Sequence, residues 1–352
     1  DCRLPSPDMG KILTVSRDYF REKGISYFHK KRHEGYLRHL LLRRAEKTGE
    51  ILVSLIHASW NPESAQTEES LLTGWCESLL QLEKEGSLEG HFAGILHTKN
   101  DSPADAVVNQ GTEILYGKDY FYEELLGLRF KITPFSFFQT NSLGAEKLYE
   151  KIREYANLSD SAKDKPIIFD LYSGTGTITQ LMSKVARDAY GVEIVDEAVR
   201  SAKENARENG IENCHFIAGD VLKVLEKNSA YGIAGASAKR EETKGENPEK
   251  EDANGARNCH GELNLETTVL PTPDFIIVDP PRDGMHRKAL DLIIRYGVER
   301  LIYVACKPKS LVRDLEALQA AGYRVKKLCA VDLFPRTNNC ECVCLLEKEG
   351  IR

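Results

Sequence analysis

From Pro166 onward the sequence alternates short apolar runs with amphipathic segments, and this grammar restricts the second part of the chain to a doubly wound α/β sheet. The runs are Ile167-Ile168-Phe169, Ala189-Tyr190-Gly191-Val192, Phe275-Ile276-Ile277-Val278 and Leu301-Ile302-Tyr303-Val304. In such a sheet, ligands are expected at the carboxyl ends of the strands. The part before it reads differently. Pro7 opens a helical pattern with Ile12, Leu13, Val15, Tyr19 and Phe20 at helical spacing. Leu37 to Arg44 and Ile51 to His57, joined at Lys47-Thr48-Gly49, predict a β-hairpin. A helix over Glu68 to Leu82 and strands near Phe92 to His97 and Leu128 to Ile132 complete a small α+β domain.

The expected division is therefore 1–133 for the α+β domain and 134–352 for the doubly wound domain. A total of 352 residues is too long for one ordinary core, in keeping with two domains. Between Ser229 and Glu266 the composition turns to Lys, Glu, Gly, Ala and Asn, which predicts a disordered surface insertion. No apolar run approaches the length of a membrane span, so no membrane association is expected. Nine cysteines without a C-x-x-C pair argue against a disulfide framework or a zinc ribbon and suit a reducing cytoplasm. A net charge of −6 sits awkwardly with nucleic-acid binding. Arg17 to Arg44 does interleave Arg21, Lys23, Lys30, Lys31, Arg32, Arg38 and Arg43 with aromatic residues, but taken alone it reads as a solvated face.

Asp170-Leu171-Tyr172-Ser173-Gly174-Thr175-Gly176-Thr177 follows a strand and opens a helix, where two glycines let backbone approach a nucleotide-like ligand. The third glycine of a pyrophosphate fingerprint is replaced by Thr179, which disfavours a dinucleotide oxidoreductase. Glu193 and Asp220, at the ends of the next two strands, suit ribose hydroxyls and an adenine edge. Helix capping is the bland reading of each, and the series favours S-adenosylmethionine. Asp279-Pro280-Pro281-Arg282 ends the fourth strand. Its rigid prolines place an aspartate beside the cofactor, and Arg282 stands where amino-group methyltransferases commonly carry a stacking aromatic. In Tyr303-Val304-Ala305-Cys306-Lys307-Pro308 a cysteine ends the fifth strand. A thiolate adding to carbon 6 of uracil makes carbon 5 nucleophilic, and Lys307 and the helix start are expected to lower the thiol pKa. Glu341, in the strand Asn339 to Leu345, is the candidate base for the carbon 5 proton. The alternating Cys340, Cys342 and Cys344 read as packing.

Together with Tyr36-Leu37-Arg38-His39, Leu115 to Tyr120 and Phe137-Phe138-Gln139-Thr140-Asn141, these segments resemble the RNA (uracil-5-)-methyltransferase family over most of the chain. Cys306-x-Pro308 with the later Phe334-Pro335 and Glu341 carries the resemblance most specifically. It implies a Rossmann-like class I methyltransferase domain, S-adenosylmethionine as cofactor, and methylation of carbon 5 of a uridine, in 23S rRNA ahead of tRNA. Cys306 becomes the nucleophile and Glu341 the proton acceptor. Gln139, Tyr172, Gly174, Gly176, Thr177, Glu193, Asp220 and Asp279 become cofactor residues, while Gln139, Asp279 and Arg282 meet the uracil. Departures from the family pattern at Ser173, Ala305, Lys307 and Asn338-Asn339 bear on rate. Relatives often carry an N-terminal RNA-binding domain and a 4Fe-4S cluster held by four cysteines. Cys2 resembles the last of these, with the others expected upstream of Asp1, so no metal is expected within this chain. The protein is expected to act as a cytoplasmic monomer. From another class comes a noncatalytic RNA-binding protein on the same fold, against which Cys306 and Glu341 both speak.

Overall fold

The computed structural model describes residues 5–60, 67–156, 165–227 and 270–350. The expected insertion at 229–266 and Cys2 lie outside the described residues. The chain forms two compact units, Asp1–Ser142 and Leu143–Arg352.

In the first unit, α1 (Pro7–Glu22) begins with proline in its first turn, where a missing N–H costs nothing, and buries Ile12, Ser16 and Phe20 along one face. The strands β1 (Leu37–Arg44), β2 (Glu50–His57), β3 (His91–Lys99) and β4 (Thr112–Gly117) form a sheet in the order β1-β2-β3-β4. The predicted hairpin is β1–β2. The β2–β3 pair is parallel, with α2 (Glu68–Lys84) as the crossover. Trp75 of α2 is fully buried, and its indole N–H donates to Ser16 Oγ at 3.0 Å, so its one polar group is satisfied inside the core.

β5 (Phe121–Leu125) and β6 (Leu128–Ile132) make a separate two-stranded ribbon. The unit extends past the expected end at Thr133 because the following segment is tied to it. Arg43 donates to the carbonyls of Thr133, Pro134 and Ser136, and Ser142 Oγ donates to the buried Glu123. The basic Arg17–Arg44 stretch is largely engaged within the fold. Arg38 donates to the carbonyls of Asn100, Ser102 and Ala104, and Arg44 pairs with the buried Asp8.

The second unit opens with α3 (Ser142–Ala156) and continues through β7 (Ile167–Leu171), α4 (Thr177–Met182), β8 (Asp188–Glu193), α5 (Asp196–Glu208), β9 (Cys214–Ala218) and α6 (221–227). After the undescribed segment come β10 (Phe275–Val278), α7 (Arg287–Tyr296), β11 (Arg300–Ala305), α8 (Pro308–Ala320), β12 (Tyr323–Val331) and β13 (Glu341–Lys348). The sheet order is β12-β13-β11-β10-β7-β8-β9, with β13 antiparallel between β11 and β12. Phe169, Leu171, Ile276, Tyr303 and Leu346 contribute to the core that glues helices to sheet. Strand order reverses between β7 and β10. The loops that follow these two strands therefore flank a topological switch point, where a crevice forms by construction.

Candidate active site

The loop after β7 starts from Asp170, which has no solvent exposure. Thr179 Oγ1 donates to its Oδ2 at 2.6 Å, while Oδ1 has no hydrogen-bond partner. Burial raises its pKa to about 7, and the nearby charge of Glu193 adds to the shift. Tyr172 takes φ = 67°, a conformation unfavourable for a residue with a Cβ, held by hydrogen bonds from the N–H groups of Tyr172 and Ser173 to Val192 O. Ser173 Oγ is buried and also unpartnered.

The two glycines of the turn differ in what they do. Both have positive φ, but a Cβ on Gly174 would meet nothing, whereas one on Gly176 would lie 2.4 Å from the Phe216 ring. Gly176 is thus required for packing against β9, and Gly174 faces the open side of the turn. Thr177 begins α4 and is buried. Glu193 accepts from the N–H groups of Gly174 and Val195 at 3.0 and 2.9 Å, tying the ends of β7 and β8 together. Asp220 Oδ1 accepts from Lys223 N at 3.2 Å, the capping role foreseen as its bland reading. Each of these carboxylates keeps lone pairs for a ligand. The set fits S-adenosylmethionine. An unpartnered buried carboxylate calls for a cationic or donating group, and two further strand-end carboxylates suit hydroxyl and amino donors.

On the other side of the switch point, β-sheet register brings candidate reacting groups together. β11 and β13 pair up to Ala305↔Cys342, which brings Cys306, the residue that follows β11, beside Glu341. Cys306 is partly buried. Burial raises its thiol pKa, the charges of Glu341 and Asp279 raise it further, and Arg282 opposes them by charge and hydrogen bonding. This corrects the expectation of a lowered thiol. Lys307 does not supply the cation: it caps α8 through its backbone, and its ammonium lies 3.9 Å from Asp283.

Glu341 is 5% exposed, and burial raises its pKa against the pull of Arg282. Arg282 also donates to Asn339 Oδ1 at 2.9 Å, so it links the loop after β10 to the entry of β13. Asp279 is pushed up to about 8 by burial first, then by the charges of Glu341 and Asp170. Tyr149 of α3 is buried, and its phenol is raised by burial and by Asp279, Asp170 and Glu341. Nothing in the sequence marks Tyr149, which resembles any apolar-face residue of an amphipathic helix. The unpartnered oxygen of Asp170 is equally invisible before the fold is known.

The loop carrying Arg282 is held from α8. Ser310 Oγ donates to Arg282 O at 3.1 Å, Met285 N and Tyr303 OH donate to Asp314 Oδ2 at 2.9 and 2.7 Å, and Gly284 turns with φ = 79°. The structure thus groups Cys306, Glu341, Asp279 and Arg282, and Asp170 with Tyr172, Gly174 and Glu193. Gln139 belongs to the first unit, at its last segment. Among the described residues no cluster of three or more His, Cys, Asp or Glu could hold a metal, and no helix is long and apolar enough to cross a membrane.

Comparison with known proteins adds the lineage. Residues 265–349, which include Asp279, Cys306 and Glu341, match the family model of tRNA (uracil-5-)-methyltransferases, and residues 162–233 match a methyltransferase domain. An uncharacterized RNA methyltransferase of Caldanaerobacter subterraneus subsp. tengcongensis is 42% identical over 347 residues, covering 99% of this chain and 65% of that protein. Residues 265–349 thus match the RNA (uracil-5-)-methyltransferase family, and the chain resembles RNA methyltransferases over nearly its whole length. Another such relative, from Clostridium tetani, is 39% identical over 99% of the chain and 64% of its own length. The chain therefore spans about two thirds of these relatives. Among solved structures, the Pyrococcus abyssi tRNA (uracil-54, C5)-methyltransferase in complex with S-adenosyl-L-homocysteine superposes with a TM-score of 0.65 at 24% identity, covering 97% of this chain and 67% of that one. That likeness establishes the class I methyltransferase fold expected from the sequence.

Proposed function

We propose that this chain methylates carbon 5 of a uridine in RNA, using S-adenosylmethionine, through a covalent adduct between Cys306 and carbon 6. The observation that carries the reading is the β11–β13 register, which sets Cys306 beside Glu341 with Arg282 acting on both. Asp170, Ser173, Glu193 and Asp220 would hold the cofactor, around a turn shaped by Tyr172, Gly174, Gly176 and Thr177. Bound adenosylmethionine supplies an electrophilic methyl group.

The protein's own groups do the rest. The Cys306 thiol gives its proton to solvent, Arg282 stabilises the thiolate that forms, and the thiolate adds to carbon 6 of the uracil while the C5–C6 π pair moves onto carbon 5. Asp279, held toward its neutral form, can donate a hydrogen bond to a uracil oxygen, with Arg282 as a further contact. Once carbon 5 bears the methyl, Glu341 accepts the proton from that carbon, and the electron pair of the broken C–H bond expels the thiolate from carbon 6. A carboxylate of raised pKa is a stronger base for this step than an exposed one.

We favour 23S rRNA as substrate over tRNA, and a monomer acting in the cytoplasm. Incubation with tritiated cofactor and each RNA, followed by nucleoside analysis, tests the reading. Label in 5-methyluridine supports it, and RNA binding without label favours a noncatalytic RNA-binding protein.

A further inference from the structure

The β5–β6 ribbon carries groups that the proposed chemistry does not use. Its inner face is closed by Phe121, Leu125, Leu128, Phe130 and Ile132, all buried. Alternation sends Tyr122, Glu124, Arg129 and Lys131 to the opposite face, with Tyr120 and Lys118 just upstream. There cations and rings interlock. The Arg129 guanidinium lies 3.7 Å from the Tyr122 ring centroid, Lys131 and Lys118 lie 4.4 and 5.2 Å from that of Tyr120, and the two rings meet edge to face at 5.5 Å. Arg129 and Lys118 are exposed and the other three half-buried. Of the three acidic groups of the same stretch Glu123 is buried on the inner face, which leaves Glu124, across from Arg129, and Asp119 beside the three cations.

We propose that this ladder is a binding surface for single-stranded RNA, an inference that rests on the reading of the chain as an RNA-modifying enzyme. A guanidinium plane and tyrosine rings offer stacking faces to unpaired bases of any identity, and ammonium groups at their edges meet the phosphates between them. The ladder has no exposed aliphatic anchor of the kind a protein partner would fill. On an acidic chain, the surface that meets RNA has to concentrate its cations locally.

The test uses the 352-residue chain and a short fluorescent oligouridylate, with binding followed by anisotropy across a salt series. Replacing Tyr120 and Tyr122 together by Ser, or Lys118 and Lys131 together by Glu, is expected to weaken binding about tenfold or more. The charge-reversed variant should also show a flatter salt dependence. Tyr122→Phe keeps the ring and should bind as the parent does. Melting curves and cofactor affinity check that each variant folds. Cross-linking of the parent to 5-iodouridylate oligomers, mapped by mass spectrometry, should mark Tyr120 or Tyr122 whatever the variants do. Parent-like affinity in both double variants, cross-links confined to other segments, or equal competition by duplex RNA would overturn the ladder while leaving the methyl-transfer reading intact. A parent chain that neither binds nor methylates RNA overturns that reading and the ladder with it.

Discussion

Arg282 is the cation that acts on both Cys306 and Glu341, so its removal has a readable signature. Arg282→Ala should lower turnover by about ten- to a hundredfold, the worth of a charge-assisted hydrogen bond. It should also move the alkaline-rising limb of the pH–rate profile to higher pH, because the thiol loses its stabilising partner. Lys307→Ala should leave that limb in place, since Lys307 pairs with Asp283. A slowed Arg282 variant with an unmoved profile would place the residue in RNA binding instead. Asp170 gives a second prediction with a definite sign. Its folded pKa is raised to about 7, above the ordinary carboxyl value, so its contribution to stability is fully present below about pH 4 and is lost as pH rises through 7. A cofactor that brings a cationic or donating group to Oδ1 favours the ionised form. Calorimetry below pH 7 should therefore find proton release on cofactor binding, diminished in Asp170→Asn. Equal proton release in the two proteins would remove Asp170 from the site. Glu193→Ala should weaken the cofactor by about 1 to 3 kcal/mol, and an unchanged affinity would leave Glu193 only its tie between strands.

The loop after β10 shows how an element positions chemistry it does not perform. A Cβ on Gly284 would lie 2.5 Å from Arg313 Nη2 and 2.8 Å from Asp314 Oδ2, at a φ that side chains rarely adopt. Gly284→Ala should cost about 1 to 3 kcal/mol of stability, measured by denaturant unfolding, and should lower kcat because the loop that carries Arg282 must shift. Full stability with normal turnover would show that the turn is permissive. Elements differed in how plainly the sequence announced them, for physical reasons. β7, β10 and β11 are buried along most of their length, so each is a run of apolar residues. β12, Tyr-Arg-Val-Lys-Lys-Leu-Cys-Ala-Val, is a mostly exposed edge strand whose lysines mask its pattern. β5 places Glu123 among its buried positions, where the backbone N–H groups of Glu46 and Lys47 satisfy the carboxylate, and no local pattern foretells such a distant pairing. In the site, Cys306, Glu341 and Asp279 were legible from their chemistry at strand ends. The direction of the thiol's pKa was not, because it depends on carboxylates that come from β10 and β13.

Taken as a molecule, the chain divides its tasks between two units. The groups proposed to react all belong to Leu143–Arg352, whereas Gln139 and the cation–tyrosine ladder belong to Asp1–Ser142. In the proposed reaction the target base leaves its stack to meet Cys306, so the substrate expected is a loop or single-stranded uridine. In that proposed reaction Cys306 acts before methyl transfer and Glu341 after it, which makes the two separable in one experiment. Glu341→Gln retains the shape and hydrogen bonding but not the base. Incubated with cofactor and a uridine-containing RNA loop, it should accumulate a protein–RNA adduct that survives denaturing electrophoresis and carries the transferred methyl. The adduct should vanish when Cys306→Ala is added. A Glu341→Gln protein that turns over normally, or an adduct that persists without Cys306, would contradict the account.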